Sequence, residues 1–218
     1  QLKDQQRLPQ LTIAYVIDRS GSMSAIGADG VPHIELAKSA INRSIDLLQP
    51  TDRAAIVTFD AVAYYIAQFQ AVQDRRELQR LVGTLRASGG TDVLSGLNLI
   101  AEDIINEPSQ LKHIILLTDG LTNPTGLVPT TARLFQQNNV TTTTIAIGGD
   151  SNAQLMEDMA NAGGGNFHVA NDIASVPTIF AQETVLATRS YIFEEESFVP
   201  SLSSGNPIMQ GITALPQL

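Results

Sequence analysis

The sequence alternates short apolar runs, rich in β-branched residues, with longer amphipathic stretches. Short, continuous apolar runs are typical of strands buried on both faces of a sheet. They predict strands at Leu11–Ile17, Ala54–Phe59, Val62–Phe69, Ile114–Thr118, Thr141–Ile147 and Phe167–Ala170. Apolar residues at helical spacing, with their start and stop signals, predict helices at Ile34–Leu48, Asp74–Leu85, Val93–Ile105, Pro129–Asn138, Asn152–Ala162 and Ile173–Ser190.

The resulting order, β-α-β-β-α-α-β-α-β-α-β-α, predicts an α/β fold with a doubly wound, mostly parallel sheet of about six strands and helices on both faces. Only Asp60 and Ala61 separate the second and third strands. Because so short a connection cannot hold a crossover helix, the third strand should be antiparallel and lie at one edge of the sheet. The "GGGN" segment at 163–166 is interpreted as a turn.

The chain has 218 residues, which suits one α/β domain with flanking segments. Residues 1–10 are polar and are interpreted as a linker or a boundary, and residues 11–190 as the domain. Residues 191–218 are rich in Pro, Ser and Gly and lack a clear period. We interpret this last segment as a tail, a linker or the start of a following domain.

The amino-acid composition excludes or disfavours several classes of function. Twenty-two acidic residues against 13 basic ones give a net charge of −9, so nucleic acid is not an expected partner. The chain has no cysteine, which excludes disulfides, thiolate zinc sites and cysteine nucleophiles. No apolar run approaches the roughly 20 residues that span a bilayer, and no signal peptide is visible. Direct membrane insertion by this segment is therefore not expected.

Polar side chains follow two of the predicted strands and precede one helix. "DRSGS" supplies Asp18, Ser20 and Ser22, "GGTD" supplies Thr91, and "TDG" supplies Asp119. Ligands of doubly wound sheets bind outside the carboxyl ends of the strands, near the point where the strand order reverses. The predicted topology can bring these three segments together there.

Two carboxylates and three hydroxyls form a hard, all-oxygen set of ligands. Such a set suits Mg²⁺, with Mn²⁺ or Ca²⁺ as substitutes, and does not suit zinc or copper. Mg²⁺ takes six oxygens at about 2.1 Å and keeps some water, which leaves a position for an oxygen from a partner. Asp92, beside Thr91, is better interpreted as a helix N-cap or an outer hydrogen-bond acceptor than as a ligand.

The three segments resemble the loops of a von Willebrand factor type A (VWA) domain, whose metal-ion-dependent adhesion site (MIDAS) has the pattern D-x-S-x-S, then Thr, then Asp. The resemblance implies that Asp18, Ser20, Ser22, Thr91 and Asp119 hold the metal, the hydroxyls directly and the aspartates often through water. It also implies a non-enzymatic module that binds protein partners, in which a partner carboxylate completes the metal shell.

"DRSGSM" is especially similar to bacterial members of this family. The resemblance therefore suggests part of a larger, membrane-anchored bacterial protein, with this domain outside the cytoplasm, at the cell surface or on the periplasmic side. The sequence does not indicate the partner, the oligomeric state or the metal bound at rest.

Other functions remain open or are disfavoured. A Mg²⁺-dependent phosphohydrolase of the haloacid-dehalogenase type needs a second Asp where Ser20 stands, and no phosphate-binding Lys is apparent. A purely structural VWA-fold domain stays possible. A calcium-binding loop from Asp18 to Asp29 is rejected because Met23 replaces the required Gly and a strand precedes it. His33, His113 and His168 are widely separated, and we interpret them as structural or surface residues.

Overall fold

The computed structural model describes residues 9–27, 30–120, 122–147, 152–170 and 175–189. Its strands are β1 (Leu11–Asp18), β2 (Arg53–Phe59), β3 (Ala63–Ala71), β4 (Leu111–Thr118), β5 (Val140–Ile147) and β6 (Gly164–Ala170). Its helices are α1 (His33–Leu47), α2 (Arg75–Val82), α3 (Val93–Asn106), α4 (Leu127–Asn138), α5 (Ala153–Ala162) and α6 (Val176–Arg189). Most of the segments predicted at 1–10 and 191–218 lie outside the described residues, as does Asp29.

The six strands form one mixed sheet in the order β3-β2-β1-β4-β5-β6. All neighbouring strands run parallel except β3, which pairs antiparallel with β2 at the edge. The predicted α/β fold, with one antiparallel edge strand, is confirmed. Strand order reverses between β1 and β4, so the crevice for a ligand is expected at the carboxyl ends of these two strands.

The sheet has an apolar layer on each face. Along β1, Ala14 and Val16 belong to a core cluster that includes residues of α3, α4 and α5. Tyr15, on the opposite face, stacks on Phe180 of α6 with the ring centres 6.1 Å apart. Because β1 is buried along its whole length, its last residue is held firmly at the edge of the sheet.

Several element boundaries differ from the sequence prediction by a few residues, and two of these differences have a clear physical cause. Helix α4 begins at Leu127, which places Pro129 within the first turn, where no backbone N–H is needed. Strand β6 begins at Gly164, inside the segment interpreted as a turn. A methyl group on Gly165 would lie 2.3 Å from the carbonyl oxygen of Thr142, so the close approach of β5 requires glycine here.

Among the described residues, no helix combines the length and apolar character that crossing a membrane requires.

Candidate metal centre

The carboxyl ends of β1 and β4 are tied together by Asp18. Its side chain is fully buried. One carboxylate oxygen accepts the backbone N–H of Ser20 at 2.7 Å, and the other accepts the hydroxyl of Thr118 at 2.5 Å. The apolar run of β1 therefore ends in a carboxylate whose position is fixed by the neighbouring strand.

The two serines of the first loop form a hydrogen-bonded chain to Asp119. A short 3₁₀ helix, Gly21–Ser24, follows β1 and carries Ser22. Ser22 donates its hydroxyl to Asp119 Oδ1 at 2.6 Å, and the Oγ atoms of Ser20 and Ser22 are 2.9 Å apart. Since Ser22 has a single hydroxyl hydrogen, Ser20 must be the donor to Ser22.

Thr91 reaches the same place from the second loop. A methyl group built on Gly120 would lie 3.3 Å from Thr91 Oγ1 and 3.7 Å from Ser22 Oγ. The two hydroxyls therefore lie on the same side of Gly120, next to Asp119. All five residues singled out by the sequence come together at the carboxyl edge of β1 and β4.

Backbone hydrogen bonds hold the first and second loops side by side. The N–H of Gly21 donates to the carbonyl of Gly89 at 3.0 Å, and the N–H of Ser88 donates to the carbonyl of Arg19 at 2.6 Å. Gly89 has φ +83°, a left-handed conformation that favours glycine. The relative position of Ser20 and Thr91 is thus set by the backbone.

Asp60, at the end of β2, adds a side-chain connection between these loops. Its carboxylate binds the Arg19 guanidinium at 2.6 Å, and its carbonyl accepts the N–H of Asp92 at 2.7 Å. Burial alone would raise the pKa of Asp60, but hydrogen bonds from Arg19 and from the backbone of Val62 hold it below its usual value. Arg19 also lies over the Tyr64 ring, 4.9 Å from its centre.

The electrostatics of Asp18 favour a nearby cation. Burial raises the pKa of Asp18, and the neighbouring charge of Asp119 acts in the same direction, although the hydrogen bonds from Thr118 and Ser20 oppose both effects. Within the part of the chain that the structure describes, no Lys or Arg forms an ion pair with either aspartate. A bound cation would offset the cost of burying these two carboxylates.

The donor set fits a hard divalent cation. The Oγ atoms of Ser20 and Ser22 are 2.9 Å apart. Neighbouring ligand oxygens around octahedral Mg²⁺ are about 3.0 Å apart, as metal–oxygen distances of about 2.1 Å require. No group of three or more His, Cys, Asp or Glu side chains in the described ranges could hold a metal ion, so a cation here would depend on hydroxyls.

The sequence did not identify His33 as part of this site. His33 Nδ1 lies 2.8 Å from Asp119 Oδ2, and the His33 side chain is 14% exposed. The contact joins residues 86 positions apart, so no local pattern could reveal it. His113 and His168 contact Thr141 and Glu183 instead, in agreement with a structural role.

Asp92 caps helix α3, as predicted. Its carboxylate accepts the backbone N–H of Ser95 at 3.3 Å, and its own backbone N–H donates to the carbonyl of Asp60. Because this cap fixes the start of α3, it also fixes Thr91, the residue immediately before it.

Comparison with known proteins gives this geometry a family context. The model of the von Willebrand factor type A domain matches residues 12–182. An uncharacterized protein of Synechocystis sp. is 38% identical over 115 residues, which are 52% of this chain and 26% of that protein. The chain therefore spans about a quarter of the length of the curated relative that it matches.

Solved structures share the fold. A von Willebrand factor type A protein from Catenulispora acidiphila has a TM-score of 0.74 at 26% identity, over 83% of this chain and 43% of that one. An aerotolerance-related membrane protein from Bacteroides fragilis has a TM-score of 0.66 at 17% identity, over 80% of this chain and 98% of that one. The mussel byssus protein PTMP1, whose MIDAS motif is described as occupied by zinc, has a TM-score of 0.69 at 19% identity, over 83% of this chain and 46% of that one.

Proposed function

We propose that this chain, which belongs to the von Willebrand factor type A domain family, binds a Mg²⁺-type cation through Asp18, Ser20, Ser22, Thr91 and Asp119. The observation that carries the proposal is the convergence of these oxygens from three separate loops onto the carboxyl edge of β1 and β4. Domains of this family generally bind divalent metal at such a site and mediate protein interactions.

The hydroxyls of Ser20, Ser22 and Thr91 would be the direct ligands. Asp18 and Asp119 already accept hydrogen bonds on both of their oxygens, which suits a role outside the direct shell. Because hydroxyl ligands are neutral, the cation would keep most of its positive charge and would act as a Lewis acid that attracts a carboxylate.

The proposed partner is a protein that presents an acidic side chain, and the proposed role is interaction without catalysis. Among the described residues, nothing favours the phosphohydrolase alternative, because Ser20 stands where the second aspartate is needed and its hydroxyl is bound to Ser22. The proposed setting is a larger bacterial protein with this domain outside the cytoplasm. The description of the B. fragilis neighbour as a membrane protein supports that setting.

The cation site is tested by calorimetric titration of Mg²⁺, Mn²⁺, Ca²⁺ and Zn²⁺ into wild type, Thr91→Val and Ser24→Ala. Zn²⁺ is included because the mussel protein is described with zinc in its motif. Ser24 lies in the same loop, but its hydroxyl donates to the carbonyl of Gly21, so it serves as the matched control. We expect Thr91→Val to weaken Mg²⁺ binding at least about tenfold and Ser24→Ala to leave it unchanged. Absence of binding to the wild type would refute the proposal.

The carboxylate preference is tested with the Mn²⁺-loaded protein. We expect a short peptide with one Glu to lower the relaxation rate of water protons, since its carboxylate would displace a bound water from Mn²⁺. The same peptide with Gln in place of Glu is the control and should leave the rate unchanged. Equal effects of the two peptides would argue against recognition of an acidic side chain.

A further inference from the structure

His33, at the start of helix α1, binds the third loop of the site, which follows β4 and carries Asp119. Its Nδ1 is 2.8 Å from Asp119 Oδ2, and the Asp119 side chain is only 3% exposed. Because an ionised carboxylate can only accept, Nδ1 of His33 must carry the hydrogen of this bond. His33 is thus a donor to the one carboxylate that also orients Ser22.

The loop that carries Ser22 also positions His33. The backbone N–H of His33 donates to the carbonyl of Ala25 at 3.0 Å, and Ile26 and Pro32 form an isolated antiparallel bridge. The described parts of this loop therefore close on themselves and bring the imidazole back towards the serines. His33 is held by the backbone of the first loop and reaches the third loop with its side chain.

Asp119 controls how Ser22 can act as a ligand. Its Oδ1 takes the only hydroxyl hydrogen of Ser22 at 2.6 Å, and since Ser20 donates to one Ser22 lone pair, the other lone pair is left for a cation. Its Oδ2 is occupied by His33. If His33 were removed, the carboxylate could rotate, and the Ser22 hydroxyl would lose its fixed orientation.

We propose that His33 is a positioning residue that makes the site selective for Mg²⁺ over Ca²⁺. This inference rests on the proposed function, because it requires that the site binds a divalent cation. Mg²⁺ demands near-ideal octahedral geometry, whereas Ca²⁺ accepts longer and irregular coordination. A site whose Asp119 and Ser22 are free to reorient should therefore lose Mg²⁺ affinity more than Ca²⁺ affinity.

The test compares Mg²⁺ and Ca²⁺ affinities of wild type, His33→Ala and His33→Asn by calorimetry. The Asn side-chain amide places a donor near the position of Nδ1, so it should keep the bond to Asp119. Loss of a residue that orients a metal ligand costs about 10–100-fold in affinity. We expect His33→Ala to lose Mg²⁺ affinity in this range and Ca²⁺ affinity much less, and His33→Asn to recover most of the Mg²⁺ affinity.

The chain offers a matched control in His168, whose Nε2 lies 2.7 Å from the buried carboxylate of Glu183 and contacts none of the five site residues. His168→Ala should leave both affinities unchanged, even if it lowers thermal stability. The inference about His33 is overturned if His33→Ala keeps the wild-type ratio of Mg²⁺ to Ca²⁺ affinity, whether both affinities are unchanged or both fall by the same factor. If the wild type binds neither cation, the proposed function itself fails, which is a separate result.

Discussion

Gly120 illustrates, at the scale of single residues, how little space separates the ligand candidates. Its Cα faces both the Thr91 and the Ser22 hydroxyls, and an added methyl group would lie 3.3 Å from the first and 3.7 Å from the second. The first distance is tighter than an ordinary contact, so the Thr91 hydroxyl would have to shift, whereas the second is an ordinary van der Waals contact. The residue is therefore a sensitive probe of whether these oxygens bind a cation.

We predict that Gly120→Ala weakens Mg²⁺ binding about tenfold while changing the free energy of unfolding of the metal-free protein little. The added methyl group must push Thr91 aside by a few tenths of an ångström, which is enough to disturb a Mg²⁺ ligand. Calorimetric titration and urea unfolding in EDTA measure the two effects. Gly90→Ala is the control, because its methyl group would meet only Ala61 at 3.9 Å. Equal Mg²⁺ affinity in both variants would contradict the prediction.

The side chains of the site could be predicted from the sequence because each follows a recognisable local signal. Asp18 ends one continuous apolar strand, Asp119 directly follows another, and Thr91 precedes a helix capped by Asp92. His33 could not be predicted, since its contact depends on how the loop from Ser24 returns to the sheet. A contact between residues that are far apart in the sequence produces no periodic pattern along the chain.

At the scale of elements, helix α6 is joined to the rest of the domain by buried polar groups. Glu183 is 2% exposed and accepts hydrogen bonds from Thr143, Asn166 and His168. Burial alone would raise the pKa of Glu183, but these three partners hold it below its usual value. The next residue, Thr184, forms a hydrogen bond with Ser44 of α1. The last helix is thus bound to α1, β5 and β6 by specific contacts in addition to apolar packing.

We predict that Glu183→Ala lowers the free energy of unfolding by about 2 kcal/mol, because it leaves buried donors without their acceptor. Urea denaturation of the metal-free protein measures the change. Glu77→Ala is the matched control, since the Glu77 and Arg80 side chains form an exposed ion pair, 44% and 63% accessible, that should contribute nothing measurable. A loss no larger than that of the control would show that the Glu183 contacts do not hold α6.

Two of the element boundaries that the sequence missed have identifiable physical causes. Glycines normally weaken a strand, but a methyl group on Gly164 would lie 2.5 Å from the Phe135 ring and one on Gly165 would lie 2.3 Å from the carbonyl oxygen of Thr142, so only glycine fits at these positions. Pro129 normally begins a helix, yet α4 starts two residues earlier, because the first turn tolerates a missing N–H anywhere within it. In both cases tertiary packing or helix geometry permits what local propensity disfavours. The mostly parallel sheet with one antiparallel edge strand was predictable, because the apolar runs and the short β2–β3 connection require it.

At the scale of the whole molecule, acid should destabilise the fold. Burial lowers the pKa of His113 to about 4, against about 6.5 in an unfolded chain. The unfolded state therefore binds more protons between these values, and stability falls as the pH falls from about 6.5 towards 4. Glu183, whose folded pKa is lowered, loses its stabilising contribution as the pH falls further.

We predict that the free energy of unfolding of the metal-free wild type drops by about 2 kcal/mol between pH 7.5 and pH 5 because of His113 alone. His113→Gln removes this titration, so its stability should change less over the same interval, even if it is lower throughout. Urea unfolding at the two pH values gives both differences. Parallel losses in the two proteins would show that His113 is not the source of the acid sensitivity.

The central claim, that the oxygens at the carboxyl edge of β1 and β4 bind a divalent cation, is tested most directly by a crystal grown with Mn²⁺ and measured near the manganese absorption edge. The account predicts one strong anomalous peak within direct ligand distance of the hydroxyls of Ser20, Ser22 and Thr91, with Asp18 and Asp119 around it. An ordered site without such a peak, or a peak elsewhere on the domain, would contradict the account.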